Sequence, residues 1–450
     1  MIKTLRELEK QGLLRNAMAL WTVHFFRKAL PLITVPYLAR VLGSSGWGLA
    51  AIFQSLAACI ALLIEFGFEF SATRQVARCR QSPGQLSDVV AGVFGTQALL
   101  AVGAVAATLL LHNHVAVLRD NPALVAISLV LAVADGWQPT WYFIGVERMG
   151  VAAGLEIVSK VSFAIGIIAL VRSPRDVWMV LALQAIAALL SSMAALVIVN
   201  RSVPLRFPSV KLVSEAMSSG WPMFLMRSAQ NLYTLGNAFL LGLFVSPTLV
   251  GYFAGPERIT RALAGLLNPI RQTLYPRLSK LLQTSPAEAV RLARLGMIVT
   301  SLGGLAMGVV VFLFAPLLVR ITLGVHFAPA VGVLRLLAIL PPLVSITQSL
   351  GAQWLLPLGR ERVVIRTVIA AGLLNLLLVF LLVPRFAQLG MAWAVVCSET
   401  FVCAMLLYAT AADSDQRSPF WRRASLVPAD PAGKCGPIAA ICPERLESAP

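Results

Sequence analysis

The chain has 450 residues, of which 58% are hydrophobic and only 13% are charged, and its mean hydropathy is +0.81. Soluble domains carry about 25% charged residues, so this composition excludes a water-soluble globular protein, and the hydrophobicity excludes a disordered one. The net charge of +17 does not indicate a nucleic-acid partner. Lys and Arg lie mostly in short stretches between apolar runs, where they orient a membrane protein and contact anionic lipids.

Apolar runs recur along the whole chain after a polar, basic start at residues 1–15, which we predict to lie on the cytoplasmic membrane surface. Each run has about 20 residues, enough to cross a hydrocarbon core of about 30 Å. The predicted spans are, in chain order, 16–40, 47–70, 88–111, 122–145, 151–171, 177–199, 219–245, 249–276, 292–319, 329–356, 363–384 and 388–411. The sequence therefore predicts an all-α integral membrane protein with twelve transmembrane helices.

Lys and Arg are unevenly divided between alternate connections. One set holds Arg74, Arg78 and Arg80 and many later basic residues, whereas the other set is sparse. Because cytoplasmic loops carry the excess of Lys and Arg, both termini are predicted to be cytoplasmic. Residues 412–450, rich in Pro, Ser and Ala, are predicted to be a disordered cytoplasmic tail.

The two halves of the predicted span set are alike in outline. Trp21 precedes Arg27 by the same interval that separates Trp221 from Arg227. Halves with an even number of helices start on the same side, so the repeat axis would be a pseudo-two-fold along the membrane normal, with a cavity between two lobes. The predicted domains are an N-lobe of six helices (16–200), a cytoplasmic connection (201–218) and a C-lobe of six helices (219–411).

Basic side chains within the spans are the candidate substrate-binding groups. Each costs about 2.5–3.5 kcal/mol near the bilayer centre, so it is expected to face an interior or a wet cavity. The candidates are Arg27, Lys28, Lys160, Arg227, Arg258 and Arg261. A cationic cavity fits an anionic cargo such as a pyrophosphate, which Arg binds through paired hydrogen bonds. Two alternatives stay open: Arg227 can snorkel to the interface, and Lys160 can be neutralised by Glu156.

Acidic side chains within the spans are candidates for coupling to H⁺ or Na⁺. They are Glu65, Asp135, Glu257 and Glu399, and helix packing through a hydrogen bond is the alternative role for Asp135 and Glu399. No cofactor or metal site is expected, because the cysteines lack ligand spacing. The sequence has no P-loop or HExxH motif, so we expect no enzymatic activity.

Several motifs resemble one known family. Leu30-Pro-Leu-Ile-Thr-Val-Pro-Tyr-Leu-Ala-Arg-Val-Leu-Gly43, followed by Gly46-Trp-Gly48, resembles the first-helix signature of bacterial Wzx-type polysaccharide-unit flippases. These proteins belong to the multidrug/oligosaccharidyl-lipid/polysaccharide (MOP) exporter superfamily. Later segments also look like landmarks of that family: Phe66-Gly-Phe68, Ser71-Ala-Thr-Arg74, Trp141-Tyr-Phe-Ile-Gly145-Val-Glu147, Gly251-Tyr-Phe-Ala254, Glu257-Arg-Ile259 and Tyr275-Pro-Arg-Leu-Ser279.

The resemblance implies two six-helix lobes, alternating access and a location in the bacterial inner membrane. It implies that a polyprenyl-pyrophosphate-linked oligosaccharide moves from the cytoplasmic to the periplasmic leaflet, with a polysaccharide polymerase and a chain-length regulator as candidate partners. A cation-coupled multidrug efflux pump of the same superfamily is the alternative transporter, and it would favour an acidic pocket. A membrane polysaccharide polymerase or ligase is the enzymatic alternative, which the short predicted periplasmic loops disfavour.

Overall fold

The computed structural model describes residues 13–204, 206–232, 234–268, 274, 277–278, 281–282 and 284–412. Most of the predicted surface segment 1–15 and the predicted tail beyond residue 412 lie outside these residues. The side chains of Arg27 and Lys28 also lie outside the described part of the chain, although their backbone is helical.

The described chain folds into helices joined by short turns. The N-terminal half forms α1 (Leu13–Glu65), α2 (Phe68–Cys79), α3 (Pro83–His112), α4 (Pro122–Gly136), α5 (Thr140–Gly145), α6 (Met149–Leu170) and α7 (Val177–Ser202). The C-terminal half forms α8 (Val210–Leu232), α9 (Asn237–Gly242), α10 (Pro247–Ala264), α11 (Pro286–Leu313), α12 (Ala315–Thr322), α13 (Ala330–Leu337), α14 (Leu340–Gln348), which continues as a π-helix (Ser349–Leu355), and α15 (Glu361–Ala412).

Proline sets the start of several of these helices. Pro83, Pro122, Pro247 and Pro286 each lie in the first turn of a helix, where the fixed φ angle suits the helix and the missing N–H is not needed. Pro139, by contrast, separates α4 from α5 inside the predicted span 122–145. The apolar runs therefore become helices whose ends coincide with the Pro-containing breaks in the sequence.

The two longest helices each contain a backbone break. Helix α1 has 53 residues, about 80 Å at 1.5 Å per residue, which is far longer than one crossing needs. Its break lies at Gly43 (φ 68°), within the predicted turn between the first two spans. In α15 the break lies at Ala387 (φ 48°), and a Cβ on Gly390 would overlap the carbonyl oxygen of Leu382. The chain therefore folds back on itself tightly after Leu382.

Eight segments of the described chain are long and apolar enough to cross a membrane. Two of them, Ile33–Cys79 and Glu361–Ala412, contain 47 and 52 residues and include the breaks just described. Large apolar side chains such as Ile165, Leu190 and Leu302 point outward from these helices, as expected where lipid is the solvent. The protein is thus a multi-pass helical membrane protein.

The structure differs from the sequence expectation at two helix boundaries. Helix α1 ends at Glu65, and the left-handed Phe66 (φ 48°) and Gly67 (φ 71°) turn the chain into α2, so the predicted span 47–70 is not one continuous helix. Gly67 packs against the backbone of α8, where no side chain fits, and this close approach explains the bend. Helix α8 begins at Val210, within the stretch 201–218 that we expected to be the connection.

Helix α1 packs most extensively against α10, so the two halves of the chain meet there. Small residues allow this contact: a Cβ on Gly48 would overlap the Pro247 carbonyl oxygen, and a Cβ on Gly251 would overlap that of Ser44. A second contact between the halves is aromatic. The ring of Phe66 stacks on that of Phe224 with centroids 4.6 Å apart, and Trp221 lies beside both rings. The break at Gly43 divides α1 into a first arm (13–42) and a second arm (44–65). The glycine contact lies near the start of the second arm, and the aromatic contact lies just beyond its end.

Candidate functional site

A cavity of about 830 Å³ lies among the helices of the N-terminal half. Its walls come from α1, α4, α5, α6 and α7, and α2 and α8 contribute Glu69, Arg227 and Asn231. Its uncharged polar lining includes Gln138, Gln184, Ser191 and Asn231. Amide and hydroxyl groups of this kind both donate and accept hydrogen bonds, so this wall can bind a polyhydroxylated ligand.

Six charged residues line the cavity within the described part of the chain. Four are carboxylates and two are cations: Glu65, Glu69, Asp135, Glu156, Lys160 and Arg227. The sequence expectation of a basic interior is therefore not what the described lining provides. The difference arises because Glu69 and Glu156 contribute to the lining, whereas two of the predicted cations lie elsewhere.

Arg227 is the cation that α8 contributes to the cavity. Its Nη1 donates to Glu65 Oε1 at 2.5 Å and to Glu69 Oε2 at 2.6 Å, and its guanidinium lies over the ring of Phe70, 5.6 Å from the centroid. The side chains of Arg227 and Glu65 are each about one quarter exposed, at 24% and 22%. Arg227 thus links two helices of the N-terminal half to a helix of the C-terminal half, and it does not snorkel away from the protein.

Lys160 and Glu156 form the second charged pair in the cavity. Lys160 Nζ lies 3.0 Å from Glu156 Oε1, one turn earlier on α6. This pairing is the one that the i, i+4 spacing in the sequence left open. Asp135 on α4 lines the same cavity and lies within electrostatic range of both members of the pair. The predicted residues Asp135 and Lys160 are therefore brought together.

Arg258 lies behind the cavity wall. Its Nη2 donates to Gln54 Oε1 at 2.5 Å, and its guanidinium stacks on the ring of Trp47, 4.5 Å from the centroid. Gln54 in turn donates to Gln184, which lines the cavity, at 2.9 Å. Two side-chain amides thus separate Arg258 from the cavity, so its predicted direct exposure there is corrected to an indirect connection.

Arg261 belongs to a separate charged cluster on the C-terminal half. Its Nη2 donates to Glu257 Oε1 at 2.9 Å, and Asn237 Nδ2 donates to the same oxygen at 2.8 Å. Glu399 on α15 lies within electrostatic range of Arg261. None of these residues is among those that line the described cavity. Although Arg258 and Arg261 lie on one helix face, their side-chain hydrogen bonds go to different partners, Gln54 and Glu257.

Sequence reasoning missed three residues that shape the site. Glu69 follows Glu65 by four residues within the predicted span 47–70, so the i, i+4 spacing was the available signal for this pair. Gln54 and Gln184 are uncharged, so a search for intramembrane charge passes over them. An amide within an apolar run was the available signal, since a polar group in a span usually has a hydrogen-bond partner.

Residues 13–282 match the family model described as polysaccharide biosynthesis protein. The chain is 30% identical over 404 residues to the "Putative O-antigen transporter" of Escherichia coli strain K12, covering 88% of this chain and 96% of that protein. It is 21% identical over 394 residues to the "Probable low-salt glycan biosynthesis flippase Agl15" of Haloferax volcanii, covering 85% of this chain and 80% of that protein.

Solved structures share the fold at low sequence identity. The lipid II flippase MurJ in an inward closed conformation gives a TM-score of 0.67 at 14% identity, covering 88% of this chain and 87% of that one. An inward-facing multidrug resistance MATE family transporter of the MOP superfamily gives 0.60 at 14% identity, covering 86% and 98%.

The fold is that of a multi-pass helical membrane protein, and the sequence match over 88% of the chain makes it a membrane transporter. The chain belongs to the polysaccharide biosynthesis (Wzx-like) flippase family, as its motifs indicate. This is a family of transporters and not of enzymes.

Proposed function

We propose that this protein flips polyprenyl-pyrophosphate-linked oligosaccharide units from the cytoplasmic to the periplasmic leaflet for surface polysaccharide synthesis, whether O-antigen, capsule or exopolysaccharide. The observation that carries the proposal is a cavity among the apolar helices whose lining includes charged, amide and hydroxyl groups, in a chain of the polysaccharide biosynthesis family. Amides and hydroxyls on its wall suit sugar hydroxyls, and its cations suit a pyrophosphate. The polyprenyl tail would stay in the lipid.

We propose an arrangement of twelve spans in two six-helix lobes related by a pseudo-two-fold along the membrane normal. The eight apolar segments support it, because two of them are long enough for two crossings each and α8 and α10 lie between them in chain order. With both termini cytoplasmic in the bacterial inner membrane, the Gly43 break would face the periplasm. The α1–α10 contact would then close the periplasmic end of the cavity, and the Arg227 contacts would lie toward the cytoplasmic end.

Within this proposal the cations have graded roles. Arg227 and Lys160 would meet the headgroup directly, because both line the cavity. Arg258 would meet it only after Gln54 moves aside. Arg27 and Lys28 are proposed to act on the same headgroup from the first arm of α1. Transport has a direction only if the substrate binds the inward-open and outward-open states with different affinity, or if it is coupled to an H⁺ or Na⁺ gradient. Carboxylates such as Asp135 would bind the coupled ion.

A cation-coupled multidrug efflux transporter is the second candidate, and one observation favours it. The described cavity lining has more carboxylates than cations, which is the charge balance that cationic drugs prefer. The two functions make opposite predictions about cargo charge, so one pair of assays separates them.

The test uses the purified full chain in liposomes that contain a fluorescent lipid-linked oligosaccharide pyrophosphate. Flipping is measured as the fraction of probe that becomes accessible to a membrane-impermeant quencher, with a fluorescent phospholipid as the control for leakage. We expect flipping of the lipid-linked oligosaccharide alone. Accumulation of ethidium in inverted vesicles without flipping would instead establish the efflux function.

A further inference from the structure

Arg227 lies at a junction between the two halves of the chain. Its single positive charge is paired with two carboxylates, Glu65 and Glu69. Its two carboxylate partners come from α1 and α2, and Arg227 itself comes from α8. All three side chains line the cavity. Two carboxylates on one guanidinium leave the group with one excess negative charge when both are ionised.

The two carboxylates share one nitrogen of Arg227, Nη1, which a pyrophosphate also needs when it binds the Nη1–Nη2 end of the guanidinium through paired hydrogen bonds. A guanidinium binds carboxylate and phosphate oxygens with the same hydrogen-bond geometry, so the two anions compete for it. A pyrophosphate diester carries two negative charges, as the pair of glutamates does. When it binds Arg227, it therefore leaves Glu65 and Glu69 without their cation, and their negative charge must be neutralised in another way.

We propose that Arg227 exchanges partners during transport: the pyrophosphate of the lipid-linked substrate displaces Glu65 and Glu69 from it, and the released carboxylates take up protons from water. The inference rests on the proposed function and specifies its binding residue and its proton acceptors. Breaking the Arg227 contacts also removes a link between the two halves of the chain. Substrate binding would thereby loosen the contact between α8 and the bend that joins α1 to α2.

Other charged groups share the cavity with Arg227 or lie on the helices that pack against α8. The cavity adds Asp135, Glu156 and Lys160, and the helices carry Lys211 and Glu215 on α8 itself, Arg40 on α1, Arg74 and Arg78 on α2, Asp88 on α3, and Glu361, Arg362, Arg366, Arg385 and Glu399 on α15. Lys160 is paired with Glu156, and Asp88 is paired with Arg206 at 3.0 Å. Glu65 and Glu69 are the carboxylates that contact Arg227 directly among the residues described, so they are the ones the exchange releases.

The test measures equilibrium binding of a short-chain prenyl pyrophosphate diester that carries one sugar, using the full-length protein in detergent. Binding is followed from about pH 5.5 to 8.5, a range in which the diester probe keeps its charge. We expect wild-type affinity to rise as the pH falls, by at most about tenfold per pH unit for each proton taken up. Glu65→Gln/Glu69→Gln should bind more tightly than wild type at high pH and lose the pH dependence, because neutral amides need no proton.

Arg227→Gln should lose binding at every pH, and Arg227→Lys should retain a reduced part of it, because ammonium lacks the planar fork. Asp88→Asn is the matched control, because it removes a carboxylate from an ion pair with arginine outside the cavity, and it should keep the wild-type affinity and pH slope. Thermal unfolding of each variant separates loss of binding from loss of fold. If Arg227→Gln does not fold, the comparison of Arg227→Lys with the double Gln variant decides.

The proposed exchange would be overturned if the pH dependence of probe affinity in Glu65→Gln/Glu69→Gln equalled that of the wild type. It would also be overturned if the folded Arg227 variants bound the probe with wild-type affinity. These results are distinguishable from failure of the proposed function. Flipping in liposomes by a protein whose Arg227 variants bind normally would retain the function and remove the exchange. Arg227-dependent binding of the probe without any flipping would retain the binding site and remove the function.

Discussion

Substituting Gly48 by Ala should force the two halves of the chain apart at the α1–α10 contact. The added Cβ would overlap the carbonyl oxygen of Pro247 and lie 2.7 Å from the Gly251 nitrogen. Because comfortable contacts between heavy atoms are about 3.5–4.0 Å, the two helices must separate by about 2 Å. Both obstacles are backbone atoms, so no side-chain rotation can relieve the overlap.

Overpacking of this kind costs roughly 1–3 kcal/mol, and Ala recovers about 1 kcal/mol of intrinsic helix propensity. The cost applies only to the conformation in which α1 and α10 are in contact. At about 1.4 kcal/mol per tenfold, a shift of 1–3 kcal/mol would raise the ratio of separated to closed conformations about 5- to 150-fold. Trp47 and Phe253, both fully buried near this contact, would gain exposure.

The assay places a single cysteine at Ala58, which lines the cavity, in a background whose native cysteines are replaced. A membrane-impermeant maleimide added to intact cells should label this cysteine faster in the Gly48→Ala protein. Gly103→Ala is the matched control, because a Cβ there meets nothing within 4 Å. Equal labelling rates and equal thermal midpoints for the two variants would refute the reasoning.

Three further predictions concern stability, measured as the thermal unfolding midpoint in detergent. Gly67→Ala should lower the free energy of unfolding by about 2 kcal/mol or more, because φ is +71° and the added Cβ would lie 2.7 Å from the backbone of α8. An unfolding midpoint equal to that of the wild type would contradict the close approach. Glu257→Gln should lower the free energy of unfolding by roughly 1–3 kcal/mol, because Arg261 loses its carboxylate partner. Adding Arg261→Gln should recover part of this stability, whereas additive losses in the double variant would show that the pair is not coupled. Ala387→Gly should stabilise by about 1 kcal/mol, because glycine tolerates φ 48° without strain; a lower midpoint would argue against the break in α15.

The helical membrane class was predictable from composition and hydrophobic run length alone. The turn at Gly43 was also predictable, because two glycines flank two serines between apolar runs. The bend at Phe66 and Gly67 was not, because it depends on how closely α8 approaches Gly67, a tertiary contact that lies far away in sequence. Local sequence pattern therefore gives the spans, while packing decides where they bend.

The candidate site was only partly predictable for a similar reason. Intramembrane charge identified Lys160, Arg227 and Asp135, which do line the cavity. It could not assign partners, because ion pairing depends on which helices are neighbours. Arg258, for example, is bound by the amide of Gln54 and the ring of Trp47, neither of which a search for charges would select.

The bend between α1 and α2 also affects how the two ion pairs of Arg227 break. In one straight helix, Glu65 and Glu69 would sit on a single rigid rod and would leave their common partner together. The left-handed residues Phe66 and Gly67 instead place Glu65 and Glu69 on two separate helices joined by a bend. A rotation of α2 alone would move Glu69 away from Arg227 while Glu65 keeps its contact, so the two ion pairs would break one after the other.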